Sequence, residues 1–74
     1  MIKEIKKLTN IKRLNNSING NPKYRLYFNN EVLTTKNNSM IVYSISDDLI
    51  NKNLEVKYYY TNKGKAILDN YTIV

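Results

Sequence analysis

The stretch Leu54-Glu55-Val56-Lys57-Tyr58-Tyr59-Tyr60 alternates its side chains with a period of two, which is typical of a β-strand with one buried face. Successive side chains of a strand point to opposite faces, so we expect the even-numbered residues inward and the odd-numbered residues outward. Thr61-Asn62-Lys63-Gly64 predicts a hairpin loop with Gly64 at positive φ. Lys65–Leu68 is the predicted partner strand, with Tyr71–Val74 as a short extension.

A second hairpin is predicted in the first half of the chain. Lys23-Tyr24-Arg25-Leu26-Tyr27-Phe28 alternates in the same way, again with its even-numbered residues on one face. Asn29-Asn30 predicts a two-residue turn of type I′, after which Glu31–Thr35 returns as a strand. Asn15–Pro22 before the hairpin is the clearest loop signal, because Asn and Gly tolerate positive φ and proline fixes its own φ.

Two further segments fit no single pattern. Residues 1–14 have Ile or Leu at every third position. With this spacing, neither a helix nor a regular strand would have all of these residues on one face. We favour a strand over residues 4–14 that contains a bulge, with a helix as the alternative. Ser39 could cap a short helix that ends near Ser46, but the β-branched residues there favour a strand. Asp47 and Asp48 are predicted to open the next turn.

These elements predict a mostly β fold in a single small domain, residues 1–74. Five short strands with frequent turns suggest a small antiparallel sheet, or an SH3-like or OB-like barrel, with at most one short helix. A chain of 74 residues buries only about 60% of its unfolded surface, so its stability is expected to be marginal. Self-association into a homodimer is one way to add buried surface.

The composition excludes much of catalytic chemistry. The chain has no cysteine and no histidine, so it has no disulfide, no thiolate nucleophile, no imidazole base and no zinc site built on these residues. Gly20 and Gly64 stand alone and form no phosphate-binding loop. Asp47-Asp48, the only adjacent acidic pair, is expected to be a solvated turn. We therefore predict a protein that is not an enzyme, with no catalytic residues, no metal and no cofactor.

The net charge of +6 is confined to the first half of the sequence. Residues 1–37 carry eight bases and two acids, whereas residues 38–74 carry four of each. One interpretation is a face that binds a polyanion. The other is codon bias, since Asn, Lys, Ile, Tyr and Phe together make 40 of the 74 residues and all are read from A/T-rich codons. Both interpretations remain open at this point.

The seven tyrosines are a second unusual feature of this composition. Exposed tyrosines between basic residues can stack on the bases of a single strand while the cations meet phosphates, and they also make good protein-contact area. Tyr24, Tyr58 and Tyr60 are better explained as core residues whose hydroxyl groups lie at the rim. The residues predicted to bind nucleic acid or a partner are Lys12, Arg13, Lys23, Arg25, Tyr27, Lys57 and Tyr59.

The segment Arg13–Leu26 contains Ser17-Ile18-Asn19-Gly20-Asn21-Pro22 followed by Lys23-Tyr24. It resembles a segment of short, largely uncharacterised proteins of phages and other bacterial mobile elements, in which Ser-x-x-Gly-Asn-Pro precedes a basic residue, an aromatic residue and a β-hairpin. The likeness extends to an aromatic residue resembling Tyr43 and covers half the chain, but Asn29-Asn30 replaces the usual acidic-Gly turn. Such proteins are often stoichiometric binders, including inhibitors of host defence such as anti-CRISPR proteins. The resemblance carries over no functional residue.

Two functions are therefore expected, and we rank the inhibitor first. In the first, the chain docks on a host protein or nucleoprotein complex, such as a CRISPR effector, and blocks it without catalysis. In the second, it is a β-barrel module that binds single-stranded DNA or RNA through its basic, tyrosine-bearing face. The longest apolar run, Met40–Tyr43, is far shorter than a membrane span, so no membrane partner is expected. We expect a cytoplasmic protein of the bacterial host cell.

Overall fold

Five β-strands account for most of the chain in a computed structural model that describes residues 1–15, 20–37 and 39–74. In chain order they are β1 (Ile2–Leu14), β2 (Lys23–Phe28), β3 (Val32–Thr35), β4 (Asn53–Tyr60) and β5 (Ala66–Ile73). Two short 3-10 helices, Met40–Ser44 and Asp47–Leu49, connect β3 to β4. The loop predicted over residues 15–22 lies in part outside the described residues, at positions 16–19.

The strands form a closed barrel in the order β1-β2-β3-β5-β4, with β4 returning to β1. The prediction of a small, mostly β barrel is confirmed. The prediction that all strands pair antiparallel is wrong, because β3 and β5 run parallel through Thr34 opposite Ile67 and Thr35 opposite Leu68. The two 3-10 helices and β4 together provide the long connection that a parallel pair requires. The barrel is therefore mixed, and β1 is shared between β2 and β4.

A bulge in β1 explains why its apolar residues recur at every third position. The register with β2 shifts between Leu8, opposite Phe28, and Asn10, opposite Tyr27. The extra residue, Thr9, brings Leu8 and Ile11 to the same inner face, where Leu8 is fully buried and Ile11 packs against the core. The predicted bulged strand is confirmed, and the helix alternative is wrong.

The alternation in β2 and β4 produces the core as expected. Leu26 and Phe28 from β2, and Leu54, Val56 and Tyr58 from β4, are buried in one cluster. At the usual 25 cal/mol per Å² of apolar surface, burial of each such aliphatic side chain contributes about 1.5–3 kcal/mol. Leu8, Leu33 and Leu68, all fully buried, complete the barrel interior.

Two details of the hairpins differ from the sequence prediction. The turn between β2 and β3 forms at Asn29-Asn30, closed by the Phe28 N–H donating to the Glu31 carbonyl at 2.9 Å, but neither asparagine has the positive φ of type I′. Tyr60 is 49% exposed and is not a core residue, because it lies at the end of β4. Gly64 has φ +81, as predicted for the β4–β5 hairpin.

The connection between β3 and β4 is helical, but it forms 3-10 helices rather than an α-helix. Ser39 occupies the N-cap position of the first without a side-chain cap hydrogen bond, and Asp47 and Asp48 open the second, as expected. Val42, Ile45 and Leu49 are buried in the core. The β-branched residues that disfavour an α-helix here are accommodated by short turns.

Candidate nucleic-acid interface

The outer face of β1 and β2 gathers cations from both strands. Antiparallel register places Lys12 opposite Arg25 and Leu14 opposite Lys23. Because alternation sends Leu26 and its neighbours Tyr24 and Phe28 inward, the side chains of Lys23 and Arg25 point outward. Like charges directly opposite each other destabilise a strand pair, and a bound anion would relieve that repulsion.

The same outward row continues around the barrel to Tyr59. Arg25 lies opposite Thr34, Thr34 opposite Ile67, and Ile67 opposite Tyr59. Tyr59 therefore lies three strands along this row from Arg25, a path of roughly 14 Å around the barrel surface at about 4.8 Å per strand. The parallel β3–β5 pair is what brings the second hairpin to the cationic face of the first.

A groove of about 290 Å³ opens along this junction. We call it the cationic groove, and its lining residues are Lys23, Thr35, Lys36, Asn37, Tyr59, Lys65 and Ile67. Three of them carry an ammonium group, and none carries a carboxylate. The groove therefore combines positive charge, an aromatic ring and polar groups on the outside of a rigid barrel.

Backbone hydrogen bonds position the two lysines that lie outside the strands. Lys36 follows β3, and its N–H donates to the Leu68 carbonyl at 3.2 Å. Lys65 ends the β4–β5 turn, where its N–H donates to Thr61 Oγ1 at 3.1 Å and its carbonyl accepts from the Thr61 N–H at 2.9 Å. The left-handed conformation at Gly64 lets this turn close.

One carboxylate, Asp69, lies beside the cationic groove without lining it. Lys36 Nζ is 3.9 Å from Asp69 Oδ1, and both side chains are substantially exposed to solvent. An exposed pair at this distance contributes little to stability, about 0–1 kcal/mol. A phosphate can therefore replace Asp69 at Lys36 at small cost.

The structure brings together five of the seven predicted binding residues around this surface. Lys23 and Tyr59 line the cationic groove itself. Lys12 and Arg25 form the adjoining part of the outer face. Tyr27 lies on the same face, opposite Asn10 and Val32, but two residues further along β2 than Arg25.

The other two predicted residues lie apart from the cationic groove. Arg13 belongs to the opposite face of β1, where its guanidinium carbon is 5.8 Å from the centre of the Tyr24 ring in a cation–π contact. Lys57 points outward from β4, opposite Lys3 of β1 and Asn70 of β5. It precedes Tyr59 by two residues on the same face, so it extends the positive surface along β4.

Lys36 and Lys65 are the groove residues that sequence reasoning missed. They stand 29 positions apart in the sequence, one just after β3 and one just before β5. Only the parallel pairing of β3 with β5 brings them together. One signal was available in the sequence. Lys36 directly follows the predicted strand Glu31–Thr35, and Lys65 is the first residue of the predicted strand Lys65–Leu68.

Two tyrosines of β4 have carboxylate partners near the end of that strand, a region that we call the barrel end. The Tyr58 hydroxyl donates to Glu4, and the Tyr60 hydroxyl donates to Glu31 Oε2 at 2.8 Å. Their rings meet edge to face, with centroids 5.8 Å apart. The hydrogen bond to Glu4, together with burial, raises the pKa of Tyr58 well above its usual value. The hydrogen bond to Glu31 likewise raises the pKa of Tyr60.

Other kinds of site are not found in the part of the chain that the structure describes. No three carboxylates come close enough together there to hold a metal ion. Within the same ranges, no helix has the length and apolar character that a membrane crossing requires. No protein family model matches the chain, and no curated protein or solved structure is significantly similar to it.

Proposed function

We propose that this chain is a non-enzymatic protein that binds single-stranded DNA or RNA in the cationic groove. The observation that carries the proposal is the lining of that groove, where Lys23, Lys36 and Lys65 surround Tyr59 and no carboxylate takes part. Binders of single strands combine a positive groove that follows the backbone with aromatic rings on which bases stack. OB-type barrels use this part of the fold, near the β1–β2 and β4–β5 loops, for oligonucleotides.

Tyr59 is suited to stacking by its position. It is half-buried on the outer face of β4, opposite Ile67, so part of its side chain is covered by the barrel and part remains accessible. Its hydroxyl makes no hydrogen bond within the described residues, in contrast to those of Tyr58 and Tyr60. A partly covered side chain loses little conformational entropy when a base stacks on it.

The cationic groove has room for one unstacked base. Its volume of about 290 Å³ is close to the lower limit of small-ligand sites. A base that stacks on Tyr59 has to be unpaired, so we expect a preference for a single strand over a duplex. The outer face of β1 and β2, with Lys12 and Arg25, continues the positive surface for the neighbouring phosphates.

The direct test is a titration of labelled oligonucleotides followed by fluorescence anisotropy. Oligo-dT and oligo-U of twelve nucleotides are compared with a duplex of the same length. If the three groove lysines each neutralise one phosphate, affinity for a single strand should fall about 20-fold between about 50 and 200 mM salt. Absence of binding at the lower salt concentration, or equal affinity for the duplex, contradicts the proposal.

The inhibitor of a host defence complex stays a prediction. No contact within the described residues favours a particular host target. The two functions overlap, because a groove that binds single strands could also compete for the guide or target strand of a nucleoprotein. Protection of phage in cells that carry such a complex, retained when the groove lysines are replaced, would separate the inhibitor from the nucleic-acid binder.

A further inference from the structure

The first half of β1 has an open edge, on the side away from β4. Residues Ile2–Lys7 pair with β4, while the register with β2 begins only at Leu8. The described part of the chain therefore places a strand on one side of Ile2–Lys7 and none on the other. We use the name open edge for this unpaired side.

The backbone groups that point to the open edge can be identified from Leu8. The Leu8 N–H donates to the Lys52 carbonyl at 3.0 Å, and the Leu8 carbonyl accepts from the Asn51 N–H at 2.7 Å, so Leu8 directs both groups toward β4. Successive residues of a strand direct these groups to alternate sides. Lys3, Ile5 and Lys7 therefore turn three donors and three acceptors toward the open edge, with no backbone partner among the described residues.

The side chains of the same three residues give the open edge its chemistry. Lys3, Ile5 and Lys7 share the outer face of β1, and Ile5 is 63% exposed between the two lysines. Lys3 Nζ lies 3.5 Å from Glu55 Oε1 of β4, an exposed pair that contributes little to stability and that a carboxylate of a bound segment can replace at small cost. A groove of about 350 Å³ adjoins the edge, and its lining contains no carboxylate. The residues that line it are Ile5, Lys6, Lys7, Phe28, Asn29 and Asn30.

We propose that the open edge binds an extended acidic segment of a partner protein as an added β-strand. Backbone hydrogen bonds to Lys3, Ile5 and Lys7 provide the affinity, and the alternate side chains provide the specificity. Opposite charges and apolar pairs across neighbouring strands are favourable, so the segment has acidic, apolar and acidic residues at every second position. This site lies apart from the cationic groove and does not depend on its function.

Charge disfavours pairing of the open edge with the same edge of a second copy of this chain. A two-fold pairing of β1 with itself, centred on Ile5, would place Lys3 of each copy directly opposite Lys7 of the other. Like charges in that position destabilise a strand pair, and lysines on exposed edges commonly prevent such self-association. With an acidic segment, the same two lysines face opposite charges, so their interactions across the strand pair become favourable.

The charge of the partner is tested with labelled peptides and fluorescence anisotropy. The probe Ser-Glu-Thr-Val-Thr-Glu-Ser is compared with Ser-Lys-Thr-Val-Thr-Lys-Ser on the wild-type chain and on the double variant Lys3→Glu/Lys7→Glu. We expect the wild type to prefer the acidic peptide by at least tenfold and the double variant to prefer the basic one. Equal binding of both peptides by the wild type, or no binding of either, overturns the proposal.

The backbone contribution is tested with Ile5→Pro. This substitution removes an N–H that points to the open edge and leaves the β1–β4 hydrogen bonds in place, which is where strands tolerate proline. We expect a folded protein, judged by its circular dichroism, that binds the acidic peptide at least tenfold more weakly. A folded Ile5→Pro variant with wild-type affinity contradicts strand addition. If that variant does not fold, the comparison of acidic and basic peptides on the wild type and the Lys3→Glu/Lys7→Glu variant decides whether the proposal holds.

Discussion

The cationic groove and the barrel end use the same residue types in opposite ways. At the barrel end, Tyr58 and Tyr60 donate to Glu4 and Glu31, and Lys6 Nζ lies 3.7 Å from Glu4 Oε1. In the cationic groove, Tyr59 makes no hydrogen bond within the described residues, and the lining has three lysines without a carboxylate. Tyr58, Tyr59 and Tyr60 are consecutive, yet strand alternation separates them into these two settings.

The two regions distinguish polar groups that stabilise the fold from candidate binding groups in a chain this small. A tyrosine or lysine that is itself largely buried beside its carboxylate partner, as Tyr58 and Lys6 are, contributes to folding and has little left for a ligand. One that faces solvent beside like charges costs stability and gains from a bound polyanion. Substitutions at the two places should therefore move different measurements.

The largest effect is expected from Tyr59→Ala on the binding of single-stranded oligonucleotides. Removing a stacking ring costs about 1–3 kcal/mol of binding free energy, which is roughly 5- to 150-fold in affinity. Anisotropy titrations measure it, with Tyr59→Phe as the matched control that keeps the ring and should bind like the wild type. Equal affinities of the Ala and Phe variants would remove stacking from the account.

Tyr58→Phe should do the reverse, lowering stability while leaving oligonucleotide affinity unchanged. It removes the hydrogen bond to Glu4, and because Glu4 is partly exposed we expect a loss of about 1 kcal/mol in the free energy of unfolding. For a domain of this size that is a fall of about 4–8 °C in Tm. A weakened affinity at unchanged stability would show that the two regions are not separate.

Alkaline pH should lower the free energy of unfolding through Tyr58 at the barrel end. The Glu4 hydrogen bond and burial raise the pKa of Tyr58 in the folded protein, whereas the unfolded chain has the ordinary pKa of about 10. The stabilisation is therefore complete below pH of about 10 and is lost as the pH rises through the folded-state pKa. Urea unfolding at a series of pH values should show this decline, and Tyr58→Phe should reduce it; an identical decline in both proteins would contradict the assignment.

The smallest effect is expected from Asp69→Asn, which should strengthen oligonucleotide binding by a few-fold. Asp69 is the carboxylate that pairs with Lys36 beside the cationic groove, and its removal frees Lys36 for a phosphate. Because the pair is exposed, stability should change by less than about 1 kcal/mol. A weaker binding of the Asn variant would mean that Asp69 positions Lys36 rather than competing for it.

Sequence patterns predicted the strands better than their arrangement. The period of two in β2 and β4 and the bulge in β1 follow from local side-chain spacing, so they could be predicted. The parallel contact of β3 with β5 involves only Thr34 and Thr35 with Ile67 and Leu68, too short a run to leave a pattern. Lys36 and Lys65 were missed for that reason, since their proximity depends on this contact.

Two local predictions were wrong because tertiary contacts override local preference. Asn29-Asn30 forms its turn without positive φ, in a hairpin that Leu26 and Phe28 anchor in the core. Tyr60 continues the alternation of β4 but reaches the barrel end, where its hydroxyl finds Glu31 instead of entering the core. Periodicity predicts the face of the strand on which a side chain lies, but it does not predict where along the strand the core ends.

Reversal of charge in the cationic groove tests whether single-stranded nucleic acid binds there. Lys36→Glu/Lys65→Glu and Lys3→Glu/Lys7→Glu change the net charge equally, but only the first pair lies in the groove. We predict that oligo-dT affinity at low salt falls by more than tenfold in the groove variant and by less than threefold in the edge variant. Equal losses in both variants would show that net charge alone attracts the oligonucleotide, and would contradict the account.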